Sequence, residues 1–380
     1  MGGGDKLPPV SNCEKLYKMK TKSIFISACA VLLALLASCR QEKKMEVNYT
    51  WECEKSDMKD TFDVQSLFAD RYILGLEETE KSRVGAIGKL VKVDTLLFVM
   101  DNRLAMRVFV FNANTGKFIN SIGKVGNGPG EYTDINDFAV DTSNSTVSLL
   151  CGRNSVLSYD YKGAFKWKKE ISLFADKMEC EKGKYYFVCY DEGRGNLVVT
   201  DHDMHVTAEY LTNRQDEPVV ILWNPLQKLQ DGTITFFRYI DDTVYQLDDN
   251  DSLQVRYKLD FGSNGIDRSQ VNKDNAREME KIHRGSIYFC TENEKYAWVG
   301  FCDTDDSHET ILYKETRKTV AFPSDNMIDS SLGSYDYSPQ YAMQGMMAAV
   351  LDGESIKDDL VRNKDCNRGG NPAIYFMVNK

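Results

Sequence analysis

From about residue 85 onward, short runs of β-branched and aromatic residues alternate with polar turns rich in Asp, Asn and Gly, the pattern of consecutive antiparallel strands. One unit recurs: a strand, a tight polar turn, a second strand. It reads first as Val108-Phe109-Val110-Phe111, a turn from Asn112 to Gly116, then Lys117-Phe118-Ile119. It returns as Val156 to Tyr159, a turn from Asp160 to Gly163, and Phe165 to Trp167. A third copy runs from Leu197 to Tyr210 around the turn Asp201 to Met204, and a fourth from Thr243 to Leu259 around Asp248 to Asp251. A weaker fifth pairs Thr310 to Tyr313 with Thr319 to Phe322. With Phe111, Tyr159, Thr200, Leu247 and Tyr313 as equivalent positions, the spacings are 48, 41, 47 and 66. The first three match a four-stranded propeller blade, whose period is roughly 40–50 residues.

Two further strands precede each unit, for instance Leu90 to Val93 with Leu96 to Met100, and Ile135 to Val140 with Val147 to Cys151. The long fourth spacing is assigned to Ile266 to Arg284, a charged stretch that reads as a helical or loop insertion. A propeller closes its ring by pairing strands from both termini, and Tyr72 to Leu76 with Ala373 to Val378 supply such strands. The expected fold is therefore an all-β, six-bladed β-propeller with a short helical insertion. Within the last blade, Tyr341 to Leu351 followed by Ile356 to Leu360 reads as helix rather than strand.

The N-terminal region carries an address. Met19-Lys20-Thr21-Lys22 leads directly into the apolar run Ile24 to Ala37, which is shorter than the roughly 20 residues that a membrane-spanning helix needs. A basic start and a short apolar stretch are the parts of a secretory signal. The run ends in Leu36-Ala37-Ser38-Cys39, which resembles the lipobox of bacterial lipoproteins and implies lipidation at Cys39. The chain then divides into an upstream extension and signal peptide (1–38, with Met19 as the start), a lipid-anchored spacer (39–46) and the propeller (47–380). The implied location is the cell envelope, anchored to the outer membrane. The basic spacer Arg40-Gln41-Glu42-Lys43-Lys44 leaves the periplasmic and surface-facing orientations both open.

At 42% hydrophobic and 27% charged, with a mean hydropathy of -0.43, the composition is that of a globular body. The 47 basic and 57 acidic residues give a net charge of -10, and no basic block tracks a phosphate backbone, so nucleic acid is excluded as a partner. Beyond Cys39, the cysteines from Cys53 to Cys366 form no CxxC and mostly sit in apolar company, as in Leu149-Leu150-Cys151, so they read as small buried hydrophobes.

One glycine motif stands out, Gly126-Asn127-Gly128-Pro129-Gly130-Glu131-Tyr132. The Lys-Ser/Thr of a phosphate loop is missing and a strand follows, which disfavours a nucleotide site. The motif reads as a structural connection between the first two blades, with Glu131 capping neighbouring backbone donors.

Gly128 to Tyr132, preceded by Gly116 to Ile119, resembles the NHL-like, six-bladed β-propeller lipoproteins of Bacteroides-type bacteria. Leu76-Glu77-Glu78-Thr79, Asp242-Thr243-Val244-Tyr245 and Asn371-Pro372-Ala373-Ile374 carry the same likeness, which spans about residue 70 to the end. The resemblance implies fold and location and says little of mechanism. Asp94-Thr95-Leu96, Asp242-Thr243-Val244 and Asp251-Ser252-Leu253 also look like the O-glycosylation triplet of that bacterial group.

Signs of catalysis are sparse. Asp201-His202-Asp203-Met204-His205 has ligand types at close spacing, yet it falls on an outer hairpin turn and reads as a solvated turn. The acidic clusters Asp241-Asp242, Asp248 to Asp251 and Asp303 to Asp306 fall at turns and fit no calcium loop. No Gly-x-Ser-x-Gly elbow occurs, and no carboxylate or histidine recurs at equivalent inner-strand positions. The reading is an envelope-anchored scaffold that binds a glycan, a peptide or an envelope protein, with no catalytic residues, metal ligands or cofactor assigned. The alternative is a metal-dependent propeller hydrolase, lactonase or lyase acting in the channel, for which calcium is the candidate ion. The irregular segments Trp223-Asn224-Pro225 and Ile266 to Arg284 are the candidate ligand-facing pieces.

Overall fold

The structure is a computed structural model. It describes residues 49–380 apart from 53–57, 305, 331–332, 335–337, 352–359 and 364–369. Cys39 and the spacer, most of Ile356 to Leu360, Cys53 and Cys366 lie outside the described residues.

Six antiparallel four-stranded blades form the body. Blade one is Lys89–Val93, Leu96–Asp101, Arg107–Asn112 and Phe118–Ile122. Blade two is Asp137–Asp141, Thr146–Cys151, Ser155–Asp160 and Phe165–Glu170. Ala175–Glu181, Lys184–Cys189, Gly195–Thr200 and Val206–Thr212 make blade three. Blade four has Leu226–Lys228, Ile234–Phe237, Thr243–Leu247 and Leu253–Asp260, and blade five has Arg284–Glu292, Tyr296–Asp303, Asp306–Tyr313 and Lys318–Pro323. The first strand of each blade is innermost, and neighbouring first strands touch around a central channel.

The recurring turn has a simple cause. Asn112 and Asp160 end a third strand, Asp201 and Asp248 directly follow one, and each side-chain oxygen accepts backbone N–H groups from the turn that follows. These Asx turns reverse the chain without a partner from elsewhere, which is why the repeat is readable locally. Six apolar clusters fill the six gaps between adjacent blades, for example Leu97, Phe109, Leu74 and Phe376 between blades one and six. A blade therefore buries both faces, and its middle strands are buried nearly throughout rather than alternating. Cys151, Cys180, Cys189 and Cys290 are free and buried in this packing, while Cys302 is half-buried.

The sixth blade corrects the expected helix. Tyr341–Met343 and Met346–Leu351 are its two innermost strands, joined at Gly345 with φ +72°, and they continue into Ala373–Asn379 and Phe68–Gly75. Ala- and Met-rich composition suggested a helix, but burial between blades five and one supplies the apolar setting for a strand hairpin instead. The pairing of Ala373–Asn379 with Phe68–Gly75 closes the ring with strands from the two ends of the body. The insertion before blade five is a loop, a single turn at Arg268–Gln270 and the helix Ala276–Ile282.

Upstream of the closing strand, the chain crosses the rim of the ring. Thr50–Glu52 pairs in parallel with the outer strand of blade four, and Met58 bridges Ala321 on blade five. Phe62–Asp63 then pairs with Met327–Asp329. Trp51 is fully buried and meets Tyr257 edge-on at 5.9 Å, while Phe62 stacks on Phe322 at 4.6 Å. This strap covers strand edges that would otherwise be open to pairing with another chain.

Candidate functional site at the channel mouth

At one end of the channel, the connections that lead into inner strands meet the turns between second and third strands. They enclose a cavity of about 680 Å³, the size of a small-molecule or peptide site. Ala86 to Lys89, Asn102 and Arg103 come from blade one, Asp137 from blade two and Lys177 from blade three. Ile221 to Asn224 enter from the approach to blade four, and Gln340 and Pro372 from blade six.

The floor is charged and paired. Lys89 Nζ lies 3.3 Å from an Asp137 carboxylate oxygen and 2.8 Å from Glu179 Oε1, and it donates to the Met178 carbonyl at 3.1 Å. Lys228 Nζ lies 3.5 Å from Glu181 and donates to the carbonyls of Val140 and Cys180. Burial alone would lower the Lys89 pKa, but Asp137 and Glu179 outweigh it and hold the ammonium above its ordinary range. Burial raises the Glu179 carboxyl above its usual range despite the attraction of Lys89. Three carboxylates facing two lysines leave an excess of negative charge here, consistent with both directions.

Above the floor, groups are left open. Tyr341 is 5% exposed, and its hydroxyl has no hydrogen-bond partner among the described residues. It lines a smaller channel cavity of about 80 Å³ together with Lys89, Glu179, Asn224, Gln227 and Lys228. Burial, with the nearby Asp137 charge, pushes its pKa far up, so the phenol stays a neutral donor. Trp223, partly exposed, meets the Tyr341 ring edge-on at 5.3 Å. Among the described residues, the Arg103 guanidinium has no ion pair and the Asn224 side-chain amide no hydrogen bond.

Sequence reasoning picked out Trp223 and Asn224, and both line this mouth. It missed Lys89, Asp137, Glu179 and Lys228, where charged inner-strand residues from four blades do converge. A charged residue in or beside each inner strand was the available signal, but Lys89 and Asp137 open their strands while Glu179 and Lys228 fall at or near the ends of theirs, and the signs differ, so no repeat announced them. Tyr341 was hidden by the helical reading of its segment.

The glycine motif lies elsewhere, in the connection from blade one to blade two. Gly126, Gly128, Pro129, Gly130, Glu131 and Tyr132 line a separate cavity of about 490 Å³ with Phe165 and Lys168, sharing no lining residue with the mouth. Glu131 accepts from the Gly128 N–H at 2.9 Å and from Lys124 at 2.6 Å, contacts that lower its pKa. Gly130 has φ +72°, and a Cβ there would meet Phe165 at 2.6 Å. The Asp201 to His205 segment is an exposed turn on blade three, with His205 Nδ1 3.2 Å from Asp201. Among the described residues, no group of three or more His, Cys, Asp or Glu side chains is placed to hold a metal ion. Of the three glycosylation-like triplets, Thr95 and Ser252 are exposed in turns, whereas Thr243 is buried.

Solved structures agree on the fold. A candidate exported protein of Bacteroides fragilis aligns with a TM-score of 0.69 and 18% identity, over 87% of this chain and 99% of its own. A member of the DUF4221 family from Bacteroides vulgatus aligns with a TM-score of 0.52 and 8% identity, over 83% and 97%. Both likenesses speak to architecture alone. No curated protein matches the chain. A family model does match, over residues 49–376, nearly the whole described body, and on that ground the chain belongs to the family of the domain of unknown function DUF4934.

Proposed function

We propose that the chain is an exported, envelope-anchored binding module whose ligand site is the cavity at the channel mouth. The Tyr341 hydroxyl carries the reading. A buried hydroxyl without a partner costs about 1–3 kcal/mol, and this one lines the small channel cavity that adjoins the mouth through the shared lining residues Lys89 and Asn224. Polar groups left unmet at the foot of a cavity are what a ligand's own polar groups complete. The exported Bacteroides fragilis neighbour supports export, and Cys39 supplies the anchor.

The test is a thermal-shift screen of the protein against oligosaccharides, peptidoglycan fragments and peptides. A hit should raise Tm, and Asn224→Ala and Trp223→Ala should each weaken it. No shift with any member, or a shift indifferent to both substitutions, contradicts the reading. The anchor is checked by Cys39→Ser, which should move the protein from the membrane to the soluble fraction.

The alternative of a channel hydrolase, lactonase or lyase has one observation in its favour, the raised pKa of the buried Glu179 carboxyl. That carboxyl is engaged by Lys89 and lines the small channel cavity of about 80 Å³ rather than the mouth. Turnover of a bound ligand, abolished in Glu179→Gln, would favour catalysis.

A further inference from the structure

The segment that approaches blade four has an unusual pattern. Val219, Ile221 and Trp223 are 63%, 51% and 39% exposed, whereas the intervening Leu222 is 7% exposed and Val220 is half-buried against the core between blades four and five. Alternation with period two is that of an extended strand, but with the large apolar side chains on the solvent side. Residues 218–222 belong to no sheet. No backbone group from Val219 to Asn224 bonds to another backbone group among the described residues, although the Leu222 backbone meets the Tyr190 hydroxyl. This is an extended ridge whose main-chain groups, apart from that of Leu222 and the Asn224 carbonyl that accepts from Gln227 Nε2, make no hydrogen bond among the described residues. Leu104, 74% exposed, stands next to Arg103 in the blade-one turn.

Charge narrows the occupant. Arg103 has no ion pair among the described residues, and Lys177 shares the cavity, its ammonium 3.1 Å from Asp176. The carboxylate that lines the cavity, Asp137, is already engaged by Lys89. In a chain of net charge -10, the open side of this mouth is basic. A saccharide can meet main-chain groups with its hydroxyls but has little use for a row of exposed aliphatic side chains. A peptide strand uses both, with main-chain hydrogen bonds giving affinity and alternate side chains giving specificity.

Resting on the reading of the mouth as a binding site, we infer that the ligand is an extended peptide segment of a partner protein. It adds as a strand along Val219 to Trp223, sets alternate apolar side chains beside Val219, Ile221 and Trp223, and presents an acidic residue to Arg103.

The experiment pans a random nonapeptide display library on the full-length protein, followed by affinity measurements on synthetic copies of the enriched peptides. The expected peptides alternate apolar residues and carry at least one Asp or Glu. Ile221→Asp and Arg103→Glu, both surface substitutions, should each weaken binding by about tenfold or more, the size of losing one contact of 1.4 kcal/mol. N-methylation of alternate peptide amides should do the same, a loss that side-chain recognition alone would not produce. The inference is overturned if no peptide enriches, or if the enriched peptides are indifferent to both substitutions and to N-methylation. An oligosaccharide that binds, loses affinity in Trp223→Ala, and is unaccompanied by any peptide would overturn the peptide and leave the mouth as the site. Silence from peptides and saccharides alike would overturn both.

Discussion

The seam that closes the ring and the mouth of the channel both bring polar side chains into the interior, and they treat them in opposite ways. At the seam, Asn371 is buried, accepts from the Val84 N–H at 2.7 Å and donates to the Ser82 and Glu77 carbonyls at 2.8 and 3.2 Å. Asp329, also buried there, receives Arg71, Gln65 and the Tyr375 hydroxyl. Beside the mouth, the buried Tyr341 hydroxyl has no partner among the described residues, and the half-buried Asn224 side-chain amide makes no hydrogen bond to them. Satisfied buried polar groups fix a structure, whereas unsatisfied ones lower stability and wait for something else. The contrast separates architecture from function more clearly than any single motif.

The largest effect should come from the charged floor that separates the two regimes. Lys89→Met leaves Asp137 and Glu179 together in the interior without their shared cation, so unfolding free energy should fall by about 3–5 kcal/mol in urea titrations. A loss under about 1 kcal/mol would mean that the floor is wet and the pairing unimportant. Asn371→Ala should cost about 3 kcal/mol, because several backbone groups lose their partner at once. Its folded fraction should bind mouth ligands as the wild type does. Coupled loss of binding would join the two regions and end the comparison.

A smaller effect concerns pH. Glu179 has a folded-state pKa raised by burial above its ordinary value near 4.5, so the fold favours its protonated form. Its contribution to stability is fully present below that ordinary value and is lost as pH rises through the folded value. Glu179→Gln cannot titrate, and its stability curve should be flatter over that interval. Parallel curves for the two proteins would contradict the assignment.

What the sequence made legible follows the same division. The hairpins of blades one to four announce themselves, since Asn112, Asp160, Asp201 and Asp248 build each turn from its own residues. The closing pair was legible because both strands are strongly apolar and lie at opposite ends of the body. The inner hairpin of blade six was not, because Tyr341 to Leu351 is buried on both faces and has no period to read. Nor was the strap over blades four and five, whose short parallel pairings join residues 208 and 263 positions apart, Thr50 with Lys258 and Met58 with Ala321. The channel charges escaped for a related reason: each is an ordinary strand residue until the ring brings four blades together. Trp223-Asn224 was found because an irregular segment with an aromatic residue stands out from the repeat.

The most direct test of the central claim is the urea unfolding free energy of Tyr341→Phe against the wild type. If the hydroxyl is an unmet group kept for a ligand, its removal should leave stability unchanged or raise it by up to about 1 kcal/mol. A loss of more than about 1 kcal/mol would show that the hydroxyl serves the fold, and the mouth would then be built like the seam.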